Sequence, residues 1–358
     1  MTDGQTKIRM WGADSNTFIL SNSAPIGKYL EVYQNYLMVG GISAYSSRIQ
    51  WSELLDSETW PDTNWVDIDK DTGGYITGLE TFYNELLVFK SNGFHKIAYT
   101  GDANLPFIVV KITDKIGTIS NWSIVQVEGK VYFASNDGFY VFDGSQPIKI
   151  SSKIQSLFDE INKSKLDRIY GIHYKELNQI WWGVTTGSNI YNNKIYAYDY
   201  INNVWWKYGP AYAFPYNSFA EIIDNNVLKI YSGASNGFVF EQNVGSNFSG
   251  DAIVAYWKSK LLDFDAPSKA KRLSEIYANA KQATYGDITI ETFVDFASSG
   301  NARTIDVSES GKTNVVRILD MTEEGRHFQF NVTQSGATQG YDFTLNELIV
   351  NFQFEGRK

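Results

Sequence analysis

Ser91-Asn92-Gly93-Phe94, Asn136-Asp137-Gly138-Phe139 and Ser235-Asn236-Gly237-Phe238 are three copies of nearly one tight turn, and each follows a run of apolar and aromatic residues. Gly93 and Gly138 are 45 residues apart, and Gly138 and Gly237 are 99 apart, close to two further units. A period of that length, carried by strands and turns, predicts β-propeller blades. The segments ahead of the turns repeat as well. Glu31–Val39, Thr81–Phe89, Ile124–Phe133, Ile172–Trp182 and, more weakly, Ala220–Ile230 each read as apolar, a polar corner, then apolar. Their corner residues Asn35, Asn84, Glu128, Asn178 and Asn226 are 49, 44, 50 and 48 residues apart. Apolar runs joined by short corners bearing Asn or Gly are hairpin signals. Each unit therefore reads strand, corner, strand, Gly turn, strand, loop, strand: one four-stranded blade.

Five such units fit between about residues 28 and 245. Residues 1–27, with Met10-Trp11 and Phe18-Ile19-Leu20, hold one or two further strands that would close the ring or contribute to a sixth blade. Ile154–Ile161 breaks the pattern, since its apolar residues recur at helical spacing, with Ser151 or Ser152 placed to cap a short helix. After about Gly250 the blade period disappears. Asp287–Val294, His327–Val332 and Leu345–Phe354 alternate apolar and polar residues, as half-buried antiparallel strands do. The expected fold is thus all-β: a propeller of about five to six four-stranded blades over 1–250, then an antiparallel, jelly-roll-like β-sandwich over 251–358. Glu241–Gly250 reads as the linker.

The chain has 358 residues, enough for two domains with ample cores. Aromatics form 15% of it, which favours strands and broad contact surfaces. A net charge of −9 and a pI near 5.0 argue against a protein that grips nucleic-acid phosphates. The absence of Cys removes disulfides, thiolate nucleophiles and cysteine metal sites. The first residues lack a signal-peptide pattern, and no apolar run approaches the ~20 residues of a membrane span. A soluble protein made in the cytoplasm is expected.

Motifs for chemistry are sparse. His95, His173 and His327 lie far apart, with no zinc-binding spacing. No nucleophile elbow or phosphate-cradling loop occurs. Asp67-Ile68-Asp69-Lys70-Asp71-Thr72-Gly73-Gly74 resembles a calcium loop, but Gly78 stands where the distant Glu ligand is needed. The reading there is a polar loop between strands. Ser135-Asn136-Asp137-Gly138-Phe139 approaches a sialidase box without its Trp. No catalytic, cofactor or metal residues are assigned, and the expectation is a protein that is not an enzyme. The tryptophans read as packing or interface anchors: Trp51, Trp60, Trp182, Trp205, Trp206 and Trp257. In the pairs Trp181-Trp182 and Trp205-Trp206, strand geometry turns neighbours to opposite sides. One of each pair is expected between blades and the other facing outward.

Four strings, in order, resemble the β-propeller tail nozzle or tail-hub proteins of short-tailed bacteriophages. They are Arg48–Trp60, with Trp51-Ser52, an acidic turn and Trp60; Gly78–Lys90; Ile116-Gly117-Thr118 through Gly138–Gly144 to Ile150-Ser151; and Ile195–Trp206, with Tyr198-Asp199 before Trp205-Trp206. Tyr256-Trp257-Lys258-Ser259-Lys260 through Asp263-Phe264, Pro267 and Lys271 is similar to the opening of that family's C-terminal sandwich. Members of the family carry more sequence before the first matching blade than this chain does. The resemblance implies a structural virion protein of the phage tail, made in the host cytoplasm. It would form a homo-oligomeric, hexameric ring below the portal and adaptor and contact other tail proteins. Its lumen would pass viral DNA without binding it specifically, and no cofactor is implied. An acidic lumen would suit that passage. The alternative is a glycan- or receptor-binding propeller, with a propeller glycosidase behind it. A glycosidase requires two facing carboxylates, and no motif here places them.

Overall fold

The computed structural model describes residues 2–11, 18–20, 23–209, 216–245, 247–248, 251–281, 287–308, 312–335 and 344–355, which fall into two compact units, Met1–Asn243 and Val244–Lys358.

The first unit is built of blades. Four antiparallel sheets of four strands follow one another, each with its strands paired in chain order. The first holds Tyr29–Tyr33, Tyr36–Gly40, Arg48–Trp51 and Trp65–Asp67, and the second Ile76–Phe82, Glu85–Lys90, Phe94–Tyr99 and Phe107–Thr113. The third holds Val125–Val127, Lys130–Ala134, Phe139–Phe142 and Ile148–Lys149, and the fourth Tyr170–Tyr174, Gln179–Val184, Lys194–Asp199 and Val204–Tyr208. A fifth has three strands among the described residues, Ser218–Asp224, Val227–Gly233 and Val239–Glu241. The corners take the left-handed conformations that two-residue hairpins require: Gln34 and Asn35, Glu128 and Gly129, and Asn225 and Asn226 all have positive φ. The Gly turns close on equivalent bonds, from Lys90 N–H to Gly93 O and from Ser135 N–H to Gly138 O, both 2.8 Å.

Alternation along each strand sends side chains to the blades on either side. In Glu85–Lys90, Leu86 and Val88 pack with Met38, Ile49 and Trp51 of the first blade. Leu87 and Phe89 pack with Val131, Phe133 and Phe142 of the third. The same device joins the third blade to the fourth and the fourth to the fifth. Blades covered on both faces need apolar residues on both, which is why these strands read as near-continuous apolar runs.

Two sequence expectations change here, and a third, the short helix, is met without its serine cap. Trp181 and Trp182 are both buried, one towards the fifth blade and one towards the third, so neither faces outward. The helical spacing at Ile154–Ile161 gives a 3-10 turn, Ser152–Ile154, and a single α-turn, Gln155–Asp159, with Phe158 edge-on to Phe139. Ser151 caps neither, because its hydroxyl accepts from Phe139 N–H at 2.9 Å. Finally, Arg9–Trp11 and Phe18–Leu20 pair with each other, and among the described residues neither joins a blade.

In the second unit two antiparallel sheets enclose one core. One orders Val254–Lys258, Phe328–Ser335, Asp287–Val294 and Asn301–Asp306. The other centres on Lys271–Lys281, with Asn314–Asp320 on one side and Leu345–Phe354 on the other. Leu273, Ile276 and Ala278 of the second sheet meet Ile288, Ile290, Phe330 and Val332 of the first.

Candidate functional site

The first strands of neighbouring blades touch: the first with the second, the third with the fourth, and the fourth with the fifth. They form the inner lining of the propeller. Tyr29, Tyr75, Trp122, Tyr170 and Asn217 fall at spacings of 46, 47, 48 and 47 residues: Tyr29 and Tyr170 open first strands, Tyr75 and Asn217 immediately precede them, and Trp122 lies in the 3-10 turn Asn121–Ser123 just ahead of Val125–Val127. The repeat thus delivers one such residue per blade to the mouth of the inner lining. Burial, the Tyr75 hydroxyl and the Asp167 carboxylate together push the Tyr29 phenol up to about 12.

Trp122, Asp167, Arg168, Tyr170, Tyr191 and Asn217 line a cleft of about 430 Å³ at this mouth, within the size of small-ligand sites. Trp122 and Tyr170 stack with ring centroids 5.5 Å apart and planes 8° from parallel. Tyr170 rests edge-on against Phe219, which is buried between the fourth and fifth blades. Trp122 is 60% exposed. Behind the cleft lies fully buried Asn192. Its amide donates to Arg168 O at 2.7 Å, its side-chain oxygen accepts from the Thr185 hydroxyl at 2.8 Å, and its backbone N–H donates to the side-chain oxygen of Asn217 at 3.2 Å. Arg168 donates to Ile190 O at 2.5 Å and lies over the Tyr191 ring, 5.5 Å from its centroid. Aromatic faces, an acid, a base and an amide converge on one buried scaffold.

None of these six residues stands out by motif. The repeat frame marks three of them, Trp122, Tyr170 and Asn217, at the entry to their blades, and nothing in the sequence marks Asp167, Arg168 or Tyr191. The tryptophans expected as anchors divide instead. Trp51, Trp60 and Trp182 are buried and Trp205 is half-buried against Phe139 and Tyr198. Trp206 and Trp257 are each 50% exposed. The structure does not bring the six together.

Other charged groups are already committed. Asp67 accepts from Arg48 at 2.8 and 3.2 Å, which holds its carboxyl below the usual range. Asp69 pairs with Lys111 at 2.5 Å and lies 3.4 Å from buried His95. The loop Asp67–Gly74 therefore spends two of its carboxylates on cationic side chains. Among the described residues no three His, Asp or Glu side chains are grouped to hold a metal ion. No helix is long and apolar enough to cross a membrane among those residues.

No protein-family model matches the sequence, and no curated protein matches it. Solved structures do. The chain is similar to an exo-beta-1,3-galactanase from Phanerochaete chrysosporium bound to galactose, at 9% identity and TM-score 0.32, over 96% of this chain and 100% of that one. It is similar to an extracellular domain assigned to a hybrid two-component system of B. thetaiotaomicron, at 14% identity and TM-score 0.46, over 89% of this chain and 45% of that one. It is also similar to Hsv2 of a Kluyveromyces yeast, at 8% identity and TM-score 0.36, over 66% of this chain and 70% of that one. The expectation that the chain is not an enzyme does not stand, since these structures include a glycoside hydrolase. At such scores the likeness assigns no activity to this chain.

Proposed function

We propose that the chain is a structural protein of a short-tailed bacteriophage tail, a nozzle or hub that rings the DNA-ejection channel below the portal and adaptor. The observation that carries this reading is the placement of the four resembling strings. They fall one to a blade, in order, on the first, second, third and fourth blades. Trp206 on the outermost strand of the fourth blade, and Tyr256 and Trp257 on the exposed strand Val254–Lys258, support it as contact residues between subunits. The test is native mass by light scattering, for the chain alone and mixed with a portal–adaptor complex. A ring, alone or formed on the adaptor, supports the reading. A monomer indifferent to that complex overturns it.

A second reading, glycan recognition by the propeller as a receptor-binding part of such a particle, is favoured by one observation. The mouth of the propeller holds an exposed aromatic stack beside an acid, a base and an amide.

A further inference from the structure

Resting on that second reading, we infer that the Trp122–Tyr170 cleft is a saccharide site and that its ligand class is a neutral hexopyranose with free vicinal hydroxyls. Three features lead there.

The first is the platform. Tyr170 is fixed from below by Phe219, and Trp122 lies parallel on it with much of its surface open. An exposed aromatic plate gains by covering the flat C–H face of a pyranose, which is apolar while the rim of the same ring is polar.

The second is the polar set. Asp167 offers only acceptors at neutral pH and Arg168 only donors. The side-chain oxygen of Asn217 already accepts from Asn192 N–H, so its NH₂ is the group left to face the cleft. A diol hydroxyl donates its hydrogen to a carboxylate while its oxygen accepts from a guanidinium or amide. Adjacent acid and base therefore match neighbouring hydroxyls, and charge-assisted bonds are the stronger ones.

The third is rigidity. Buried Asn192 fixes the backbone of Arg168 and the side chain of Asn217 at once, so little ordering cost falls on binding.

Charge selects among ligands that stack. A uronic or sialic acid would set its carboxylate near Asp167 as well as Arg168, and that pair together offers no net positive charge to hold it. A nucleotide base would cover the platform, but its phosphates would approach Asp167 on a chain of net charge −9.

The test uses the fluorescently labelled full chain on a glycan array carrying neutral hexose oligosaccharides and sialylated or uronic acid glycans. Trp122→Ala, Asp167→Asn and, as a control at an exposed loop residue of the second blade, Leu105→Ser are run in parallel, with near-UV circular dichroism as the control for folding. The expected result is retention on neutral hexose glycans, at least tenfold weaker for Trp122→Ala and for Asp167→Asn and unchanged for Leu105→Ser. Retention that Trp122→Ala leaves unchanged overturns the cleft while the second reading survives. Preference for the acidic glycans overturns the ligand class. Retention on no glycan overturns both the site and the reading beneath it.

Discussion

The indole nitrogen of Trp182 donates to the backbone carbonyl of Ser123 at 2.9 Å, joining the second strand of the fourth blade to the approach of the third. Both groups are buried, and Trp182 also stacks on Phe139 at 4.5 Å. Gly171 makes the approach possible, because a Cβ there would lie 2.6 Å from Val125 and 2.9 Å from the Trp182 indole nitrogen. Trp182→Phe leaves the Ser123 carbonyl without its partner and opens a void. The expected loss is about 2–4 kcal/mol in the first unit. Urea unfolding followed by near-UV circular dichroism reads it, and an unchanged midpoint would refute the bond's role.

Lys271 is the corresponding feature of the second unit. Its side chain is fully buried, and its ammonium donates to Ala266 O at 2.7 Å, Lys269 O at 3.0 Å and Arg326 O at 2.9 Å. Three donors meet three carbonyls, so the charge carries its own solvation inside the protein. Lys271→Met keeps the stem and strands the Lys269 and Arg326 carbonyls, while Ala266 O keeps Lys269 N–H at 3.1 Å, at a cost of about 2–4 kcal/mol. Hydrogen exchange should speed up across Lys271–Lys281 and Leu345–Phe354 while the blades keep their protection. Equal exchange in both proteins would remove Lys271 from the account of this fold.

The propeller was legible because its signal is periodic. Corners at Asn35, Glu128, Asn178 and Asn226 lie where the spacing puts them, since each needs a left-handed backbone that few residues adopt, and the turns at Gly93 and Gly138 do so because a Cβ would crowd Thr113 O at 3.1 Å in one and the Ser151 hydroxyl at 2.5 Å in the other. The strand Lys271–Lys281 was not legible. Its register slips between Leu273 and Glu275, a bulge at Ser274, so Leu273 and Ile276 both face the core at an odd spacing that alternation cannot predict. The cleft was hidden differently. Trp122, Arg168 and Asn217 form no motif, and they meet only because the third, fourth and fifth blades stand side by side. The outward half of the Trp181-Trp182 pair was misread because alternation gives the side of a sheet, and in this fold both sides of an inner blade are covered.

Glu80 gives the first unit a pH dependence. Burial, followed by the neighbouring Glu31, pushes its carboxyl up to about 7 from an ordinary 4.5. Glu31 itself accepts from the Thr81 hydroxyl at 2.8 Å. A carboxyl raised in the folded state binds its proton more tightly there than in the unfolded chain. Folding is therefore favoured below the unfolded value, and that advantage is lost as pH rises from about 4.5 through about 7. At 1.36 kcal/mol per pH unit, and allowing for partial exposure, the loss is about 1–3 kcal/mol. Glu80→Gln should match the parent chain near pH 4.5 and exceed it by that amount at pH 8 in urea unfolding. A parallel pH dependence in the two proteins would show that Glu80 is not the group responsible.

Assembly places a different demand on the outer strands. Trp206 lies on the last strand of the fourth blade, beside Val204, which is also exposed. Trp257 lies on Val254–Lys258, where Val254 and Tyr256 are exposed too. Large apolar groups left in water on a strand gain most when another surface covers them, and buried tryptophans dominate the energy of such contacts. Since these side chains are little used in the chain's own cores, Trp206→Ser and Trp257→Ser should leave thermal unfolding within about 0.5 kcal/mol of the parent. In a ring, each should weaken association by about 2 kcal/mol per contact, roughly thirtyfold. Light scattering with the portal–adaptor complex separates the effects: a folded variant that no longer joins the ring marks its tryptophan as a contact, and a ring of unchanged mass and midpoint concentration removes it from the interface.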